Sequence, residues 1–188
     1  MPPPSKEIQL TVKDRVARIT LAHPPLNILT IPMMKEFARA VQRVGNMPDV
    51  CAIVLASSPA SRAFSAGVSV EDHRPETVYQ MIEAFHGIFH SLNVASKPVI
   101  ALVSGVALGG GCELVAFSDI VIATELARFG QPEIKIGTFP PVSACILPRV
   151  IGEKKARELI LTGELLTAEE AHAFGLVNYV VSDMELEA

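Results

Sequence analysis

Pro98-Val99-Ile100-Ala101-Leu102-Val103-Ser104-Gly105-Val106-Ala107-Leu108-Gly109-Gly110-Gly111-Cys112-Glu113-Leu114-Val115-Ala116-Phe117 decides the fold of this chain. The stretch is almost wholly apolar and has the length of a membrane-crossing helix. Three features oppose that reading: Ser104, the triplet Gly109-Gly110-Gly111 and the ionisable Glu113. Each glycine weakens a continuous helix by roughly 1 kcal/mol relative to alanine. The stretch therefore reads as a buried strand over residues 99–103, a turn, and a helix opening at Gly109. A second apolar run, Ile120-Val121-Ile122-Ala123, follows at once and reads as another core strand. Strand, helix and strand in succession indicate parallel strands in an α/β layer. Runs that are apolar throughout fit a sheet covered on both faces.

The same logic extends outward. Residues 8–12 and 16–21 alternate apolar and polar side chains around a turn at Lys13-Asp14, the pattern of a hairpin. A Pro24-Pro25 loop leads to a helix over residues 31–44. There Met33, Met34, Phe37, Ala40, Val41 and Val44 recur at helical spacing, and Gly45 ends the run. Residues 51–56 form a short apolar strand. A helix is expected over residues 76–92, with Val78, Met81, Ile82, Phe85, Ile88 and Phe89 on one side. Helices over 142–150, 153–161 and 168–174 and a last strand over 176–181 complete the reading. Nothing in the chain repeats or marks a linker, so residues 1–188 are read as one domain.

Composition narrows the function. Hydrophobic residues make up 49% and charged residues 19%, which argues for a packed core over disorder. A net charge of −4 argues against a protein that coats nucleic-acid phosphates. Cys51, Cys112 and Cys145 are widely spaced with no Cys-x-x-Cys pair, so neither a zinc site nor a disulfide framework is expected. The opening Met1-Pro2-Pro3-Pro4-Ser5-Lys6-Glu7 has no apolar leader core. With an odd cysteine count this suggests a cytoplasmic protein without membrane attachment. His86 and His90 stand four apart, but no third ligand is evident, and no metal is expected.

Three segments carry candidate chemistry. In Arg62-Ala63-Phe64-Ser65-Ala66-Gly67-Val68, small residues and Gly67 allow the backbone to approach a ligand and expose an N–H. The alternative is an ordinary strand-to-helix turn. In the second, Gly105 to Glu113, a glycine triplet opens a helix and offers N–H groups that have no helical partner to an oxygen carrying negative charge. It matches neither dinucleotide nor phosphate-loop spacing, and no lysine follows. Glu113 is costly to bury unless it is partnered, so it suggests function or an ion pair. The third is Phe129-Gly130-Gln131-Pro132-Glu133-Ile134-Lys135-Ile136-Gly137. Glu133 there is either a functional carboxylate or a first-turn residue favoured by the helix dipole.

Together these segments resemble the crotonase (enoyl-CoA hydratase/isomerase) superfamily across residues 8–181. The family pattern Pro-x-x-Asn is matched by Pro24-Pro25-Leu26-Asn27, and Phe-[small]-Ala-Gly-x by Phe64-Ser65-Ala66-Gly67-Val68. Ala-x-Gly-Gly-Gly-x-Glu is matched from Ala107 to Glu113, and Phe-x-x-Pro-Glu-x-x-x-Gly from Phe129 to Gly137. Each match is modest alone; four in order at the expected spacing are specific.

The resemblance implies a spiral of ββα units, assembled in the family as trimers or pairs of trimers. It implies an oxyanion hole made by the N–H groups of Val68 and Gly110, with Glu113 activating water and Glu133 delivering a proton next to a thioester. It further implies contacts to the acyl-CoA substrate from Pro25, Leu26, Ser65, Ala66, Gly67, Gly109, Phe139 and Pro141. Coenzyme A is then part of the substrate, and no separate cofactor is needed. Two glutamates favour hydration; the alternatives are an isomerase or hydrolase on the same scaffold, or a non-catalytic subunit. The stretches 21–29, 85–89 and 138–142 are also similar to cyclohexa-1,5-diene-1-carbonyl-CoA hydratases, which implies a cyclic dienoyl thioester.

Three departures accompany the resemblance. Ser69 stands where most members have Asp. Pro141-Val142-Ser143-Ala144-Cys145-Ile146 replaces a glycine-rich segment beside the acyl site. Family members also continue past Val181 as helices that complete the pocket and the trimer, whereas this chain ends at Ala188. The C-terminal helical part is thus expected to be missing or short.

Overall fold

A computed structural model describes residues 7–187. The leaderless opening proposed above falls on residues 1–6, outside the described residues. β1 (Ile8–Lys13) and β2 (Val16–Leu21) form the expected hairpin, in full antiparallel register from Ile8 opposite Leu21 to Lys13 opposite Val16. The turn sits one residue later than the sequence suggests, at Asp14-Arg15, with φ of 50° and 67°. Two consecutive positive φ values match the right-handed twist of the flanking strands.

β3 (Ala52–Ser57), β5 (Val99–Val103) and β7 (Ile120–Thr124) then add to β2 in parallel, and β10 (Tyr179–Val181) closes the six-stranded sheet at β7. After each of the three inner strands the chain makes a second, three-residue strand: β4 (Ala63–Ser65), β6 (Val106–Leu108) and β8 (Arg128–Gly130). These pair in parallel, and β9 (Leu165–Thr167) joins β8 antiparallel to complete a four-stranded sheet. Each long–short strand pair leads to a helix: α2 (Val78–Ala95), α3 (Gly110–Phe117) and α4 (Pro141–Val150). The repeated order is the expected spiral of ββα units. The deciding stretch is β5, β6 and α3, and no helix among the described residues is long and apolar enough to cross a membrane.

Helix α1 (Ile31–Gly45) starts where Thr30 Oγ1 accepts from the Met33 N–H at 3.4 Å, with Pro32 in the first turn. Its buried residues are Met33, Met34, Phe37, Ala40, Val41 and Val44, the six picked out by spacing. α2 runs from Val78 to Ala95, not 76–92, because Thr77 folds back to donate its hydroxyl to Asp72 O at 2.9 Å. On α2, Met81, Phe85, Ile88 and Phe89 enter the core, but Ile82 is exposed and Val78 half-buried. Both line the cavity described below. α5 (Glu153–Thr162) and α6 (Ala168–Ala173) follow. Leu176 and Val177 are core residues ahead of β10, not part of it. Asn178 there pairs with Val121 through both side chain and backbone.

Candidate active site

The segment after β4 is anchored from below by Asn27. This buried residue sits at φ 50°, a conformation asparagine tolerates. Its amide donates to Ala63 O and Phe64 O at 3.0 Å each. Its oxygen accepts from the His23 N–H and the Ser61 hydroxyl. All four hydrogen-bonding sites of the side chain are thereby used. Leu29 continues the clamp: its N–H donates to Gly67 O at 2.9 Å, and its carbonyl accepts from the Ser69 N–H at 3.0 Å. This bridge uses groups on both sides of Val68 and leaves the Val68 N–H outside the pairing.

Opposite lies the start of α3. Gly110 is its first residue, so the Gly110 N–H has no intrahelical acceptor. Among the described residues, no main-chain acceptor takes either this N–H or that of Val68. The two turns touch. A Cβ built on Gly67 would stand 3.4 Å from the Gly110 nitrogen, and one on Gly110 would stand 3.0 Å from Val68 Cγ2. A Cβ on Gly111 would meet Ser65 O at 2.4 Å, so the helix seats directly on β4 only because that position is glycine.

Glu113, on the first turn of α3, is 2% exposed. Its Oε1 accepts from the Ser143 N–H at 2.7 Å. Burial pushes its carboxyl from an ordinary 4.5 up to about 7, with the charge of Glu133 adding to the rise and the N–H groups of Ser143 and Val142 opposing it. Glu133 lies on a 3-10 turn, Pro132–Ile136, after β8. Burial also raises its pKa, while its own backbone N–H and the charge of His73 oppose the rise. Gln131 is fully buried and stands between Glu133 and Ser143. Assigned with its nitrogen toward Glu133, its amide donates to Oε2 at 3.1 Å and Oε1 at 3.3 Å, and its oxygen accepts from the Ser143 hydroxyl at 2.5 Å. The opposite amide orientation would set oxygen against carboxylate. Cys112 is buried beside this cluster and its thiol is pushed up to about 12, first by burial and then by Glu113 and Glu133. It therefore stays protonated and is no nucleophile.

A cavity of about 360 Å³ joins these parts. Val68, Gly110, Glu113 and Glu133 line it together, as do Ala66, Gly67, Gly109, Phe139 and Pro141. Pro25 and Leu26 are exposed on the neighbouring loop, outside that lining. Ser65 is also outside it: the side chain is buried, donating to Asn27 O at 2.8 Å and accepting from the Gly67 N–H at 3.1 Å. Most other lining side chains are apolar, among them Val70, Met81, Phe85 and Ile136. His73 and His86 also reach the lining. The His73 Nδ1–H donates to Ser69 O at 2.8 Å. Among the described residues no group of three or more His, Cys, Asp or Glu could hold a metal ion. Sequence reading passed over Gln131, Ser143 and His73. A polar residue fixed between Gly130 and Pro132 was the one available signal, for Gln131. Two carboxyls in one largely apolar cavity, one of them titrating near neutrality, can give and take protons under the same conditions.

The chain is similar in sequence and fold to known proteins. The profile of the enoyl-CoA hydratase/isomerase family matches residues 11–188. A Mycobacterium leprae protein named "Probable enoyl-CoA hydratase echA8" is 42% identical over 171 residues, 89% of this chain and 66% of its own length. The cyclohexa-1,5-dienecarbonyl-CoA hydratase of Thauera aromatica is 33% identical over 172 residues, 91% of this chain and 66% of its own. The crystal structure of an enoyl-CoA hydratase from Bacillus anthracis superposes with a TM-score of 0.91 at 29% identity, covering 97% of this chain and 72% of that one. The chain thus spans just under two thirds of the length of these two curated relatives.

Proposed function

Since the chain belongs to the enoyl-CoA hydratase/isomerase family, we propose that it adds water across the α,β double bond of an enoyl-CoA thioester. The observation that carries this reading is the placement of Glu113 and Glu133 on one cavity also lined by Val68 and Gly110, whose N–H groups no main-chain acceptor takes among the described residues. The thioester oxygen sits on those two N–H groups, which stabilise the negative charge that builds there during attack. Donors of this kind are worth roughly 10²–10³ in turnover each. Glu113, as carboxylate, takes a proton from the attacking water as oxygen bonds to the β carbon. Glu133, as carboxylic acid, gives its proton to the α carbon. The double bond gains one hydrogen and one hydroxyl, and exchange with solvent restores the starting protonation of both groups. Coenzyme A is part of the substrate in this reading, and the protein needs no other cofactor. We place it in the cytoplasm, and as a trimer or pair of trimers where the C-terminal helices of the full-length family chain are present.

The acyl group we propose is a cyclic diene. The support is the similarity to the Thauera aromatica enzyme and the replacement of a glycine-rich segment by Pro141 to Ile146, which brings Pro141 into the cavity lining beside Phe139 and Pro140. Incubation with cyclohexa-1,5-diene-1-carbonyl-CoA and with crotonyl-CoA, followed by mass analysis of the thioesters, tests both levels. Gain of one water by either substrate supports hydration. An unchanged mass with a moved double bond, or release of free coenzyme A, overturns it. Equal or greater efficiency on crotonyl-CoA overturns the ring preference alone.

A further inference from the structure

Ser143 belongs to the segment that departs from the family pattern; it touches Glu113 directly and reaches Glu133 through Gln131. Its main-chain N–H donates to Glu113 Oε1 at 2.7 Å. Its hydroxyl lies 2.5 Å from one amide atom of Gln131, and the other amide atom, assigned as nitrogen because an oxygen there would face a carboxylate, lies 3.1 and 3.3 Å from the two Glu133 oxygens. Ser143 and Gln131 are both fully buried, so no water competes for these contacts. We propose that Ser143 is a positioning residue that couples the two glutamates, holding Glu113 by its backbone and Glu133 by its hydroxyl acting through Gln131.

The physical argument concerns the freedom of the Gln131 amide. The last torsion of a glutamine has two broad orientations that exchange oxygen for nitrogen. One sets N–H groups toward Glu133, and the other sets a carbonyl oxygen against it. A hydroxyl that can donate, fixed on the far side, selects the first. It also polarises the amide, strengthening its donation to a carboxylate in a low-dielectric setting. Without the hydroxyl, the buried Gln131 oxygen loses its donor and the selection weakens. The same residue fixes Glu113, so the spacing of the two carboxyls is set through one hydrogen-bonded bridge from α3 through the start of α4 to the 3-10 turn. Where glycine occupies this place, the backbone half of the bridge remains but the hydroxyl half does not.

This inference rests on the hydratase reading for its kinetic consequence, but not for its titration. The experiment uses the full chain with ¹³C-labelled glutamate, following the carboxyl titrations of Glu113 and Glu133, assigned with Glu113→Gln and Glu133→Gln. Ser143→Ala is expected to raise the Glu133 midpoint, because an ionised carboxylate loses part of its donor. Turnover should fall about tenfold, with KM within a few-fold. Gln131→Met should do the same or more, and Ser143→Ala in that background should add nothing further. A Glu133 midpoint and turnover unchanged in Ser143→Ala, or effects that add in the double variant, would overturn the coupling. The titration pattern without turnover of any enoyl thioester by the wild-type chain would support the coupling and overturn the hydratase reading instead.

Discussion

The Glu133 carboxyl group occupies the space that a side chain on Gly109 would need: a Cβ built there would stand 2.7 Å from Glu133 Oε1. The glycine that precedes α3 therefore has two tasks. It adopts φ 50° and ψ −123°, which side chains disfavour, and it leaves room for the acid of the opposite turn. Gly109→Ala should displace Glu133, a flexible group, before it displaces the fold. We expect turnover to fall by at least 10²-fold and stability to drop by about 1–3 kcal/mol from backbone strain. Steady-state kinetics beside urea denaturation will check this; wild-type kinetics in a folded Gly109→Ala protein would mean that the Glu133 position is unimportant.

Glu133→Gln keeps the shape of the side chain and removes its proton chemistry. Turnover should fall by about 10²–10⁴-fold, the range for a positioned general acid. Affinity for a coenzyme A thioester should stay within a few-fold, since the oxyanion-binding N–H groups are untouched. Stopped-flow turnover with isothermal titration of the thioester separates the two, and normal turnover would exclude Glu133 from the mechanism.

The long elements of this fold were legible because each buries one face by a regular period. The six buried residues of α1 are those its spacing picks out. The four-stranded sheet was not legible. Its members β4, β6, β8 and β9 are three residues each, too short to show alternation, and they read as loops. On α2, periodicity puts Val78 and Ile82 in the core. They instead face the cavity, because apolar spacing cannot distinguish a core from a pocket wall. The glutamates stood out as carboxyls in apolar surroundings. Ser143 and Gln131 did not, because their importance lies in a contact across twelve positions of chain that no local pattern records.

Burial of Glu113 makes a prediction about pH and stability. Its folded value is about 7 against an ordinary 4.5. Between those values the folded chain holds a proton that the unfolded chain has released. Its contribution to stability is therefore complete below about pH 4.5 and is lost as pH rises through 7, a loss of roughly 3 kcal/mol in all. Glu113→Gln cannot ionise and should lack this slope. Chemical denaturation of both proteins from pH 4.5 to 8 should show the variant gaining on the wild type as pH rises. Parallel curves would mean that Glu113 ionises in the folded chain as easily as in water.

Asn27 lies outside the cavity lining yet should influence it. Its amide ties down the carbonyls of Ala63 and Phe64, and its neighbour Leu29 holds the backbone on both sides of Val68. Asn27→Ala would leave two buried carbonyls without these donors and place alanine at φ 50°. Each orphaned group costs about 1–3 kcal/mol, and the positive φ adds to that. Asn27→Asp is a second test, which sets a carboxylate oxygen against those two carbonyls. It keeps the side-chain oxygens for the His23 N–H and the Ser61 hydroxyl but loses donation to β4. If the clamp sets the Val68 N–H, both variants should lose turnover by more than their loss of folded protein at the assay temperature accounts for. Amide hydrogen exchange should become faster across residues 63–69 before it does in the six-stranded sheet. Exchange that rises uniformly over the whole chain would show that Asn27 supports global stability alone and does not position Val68.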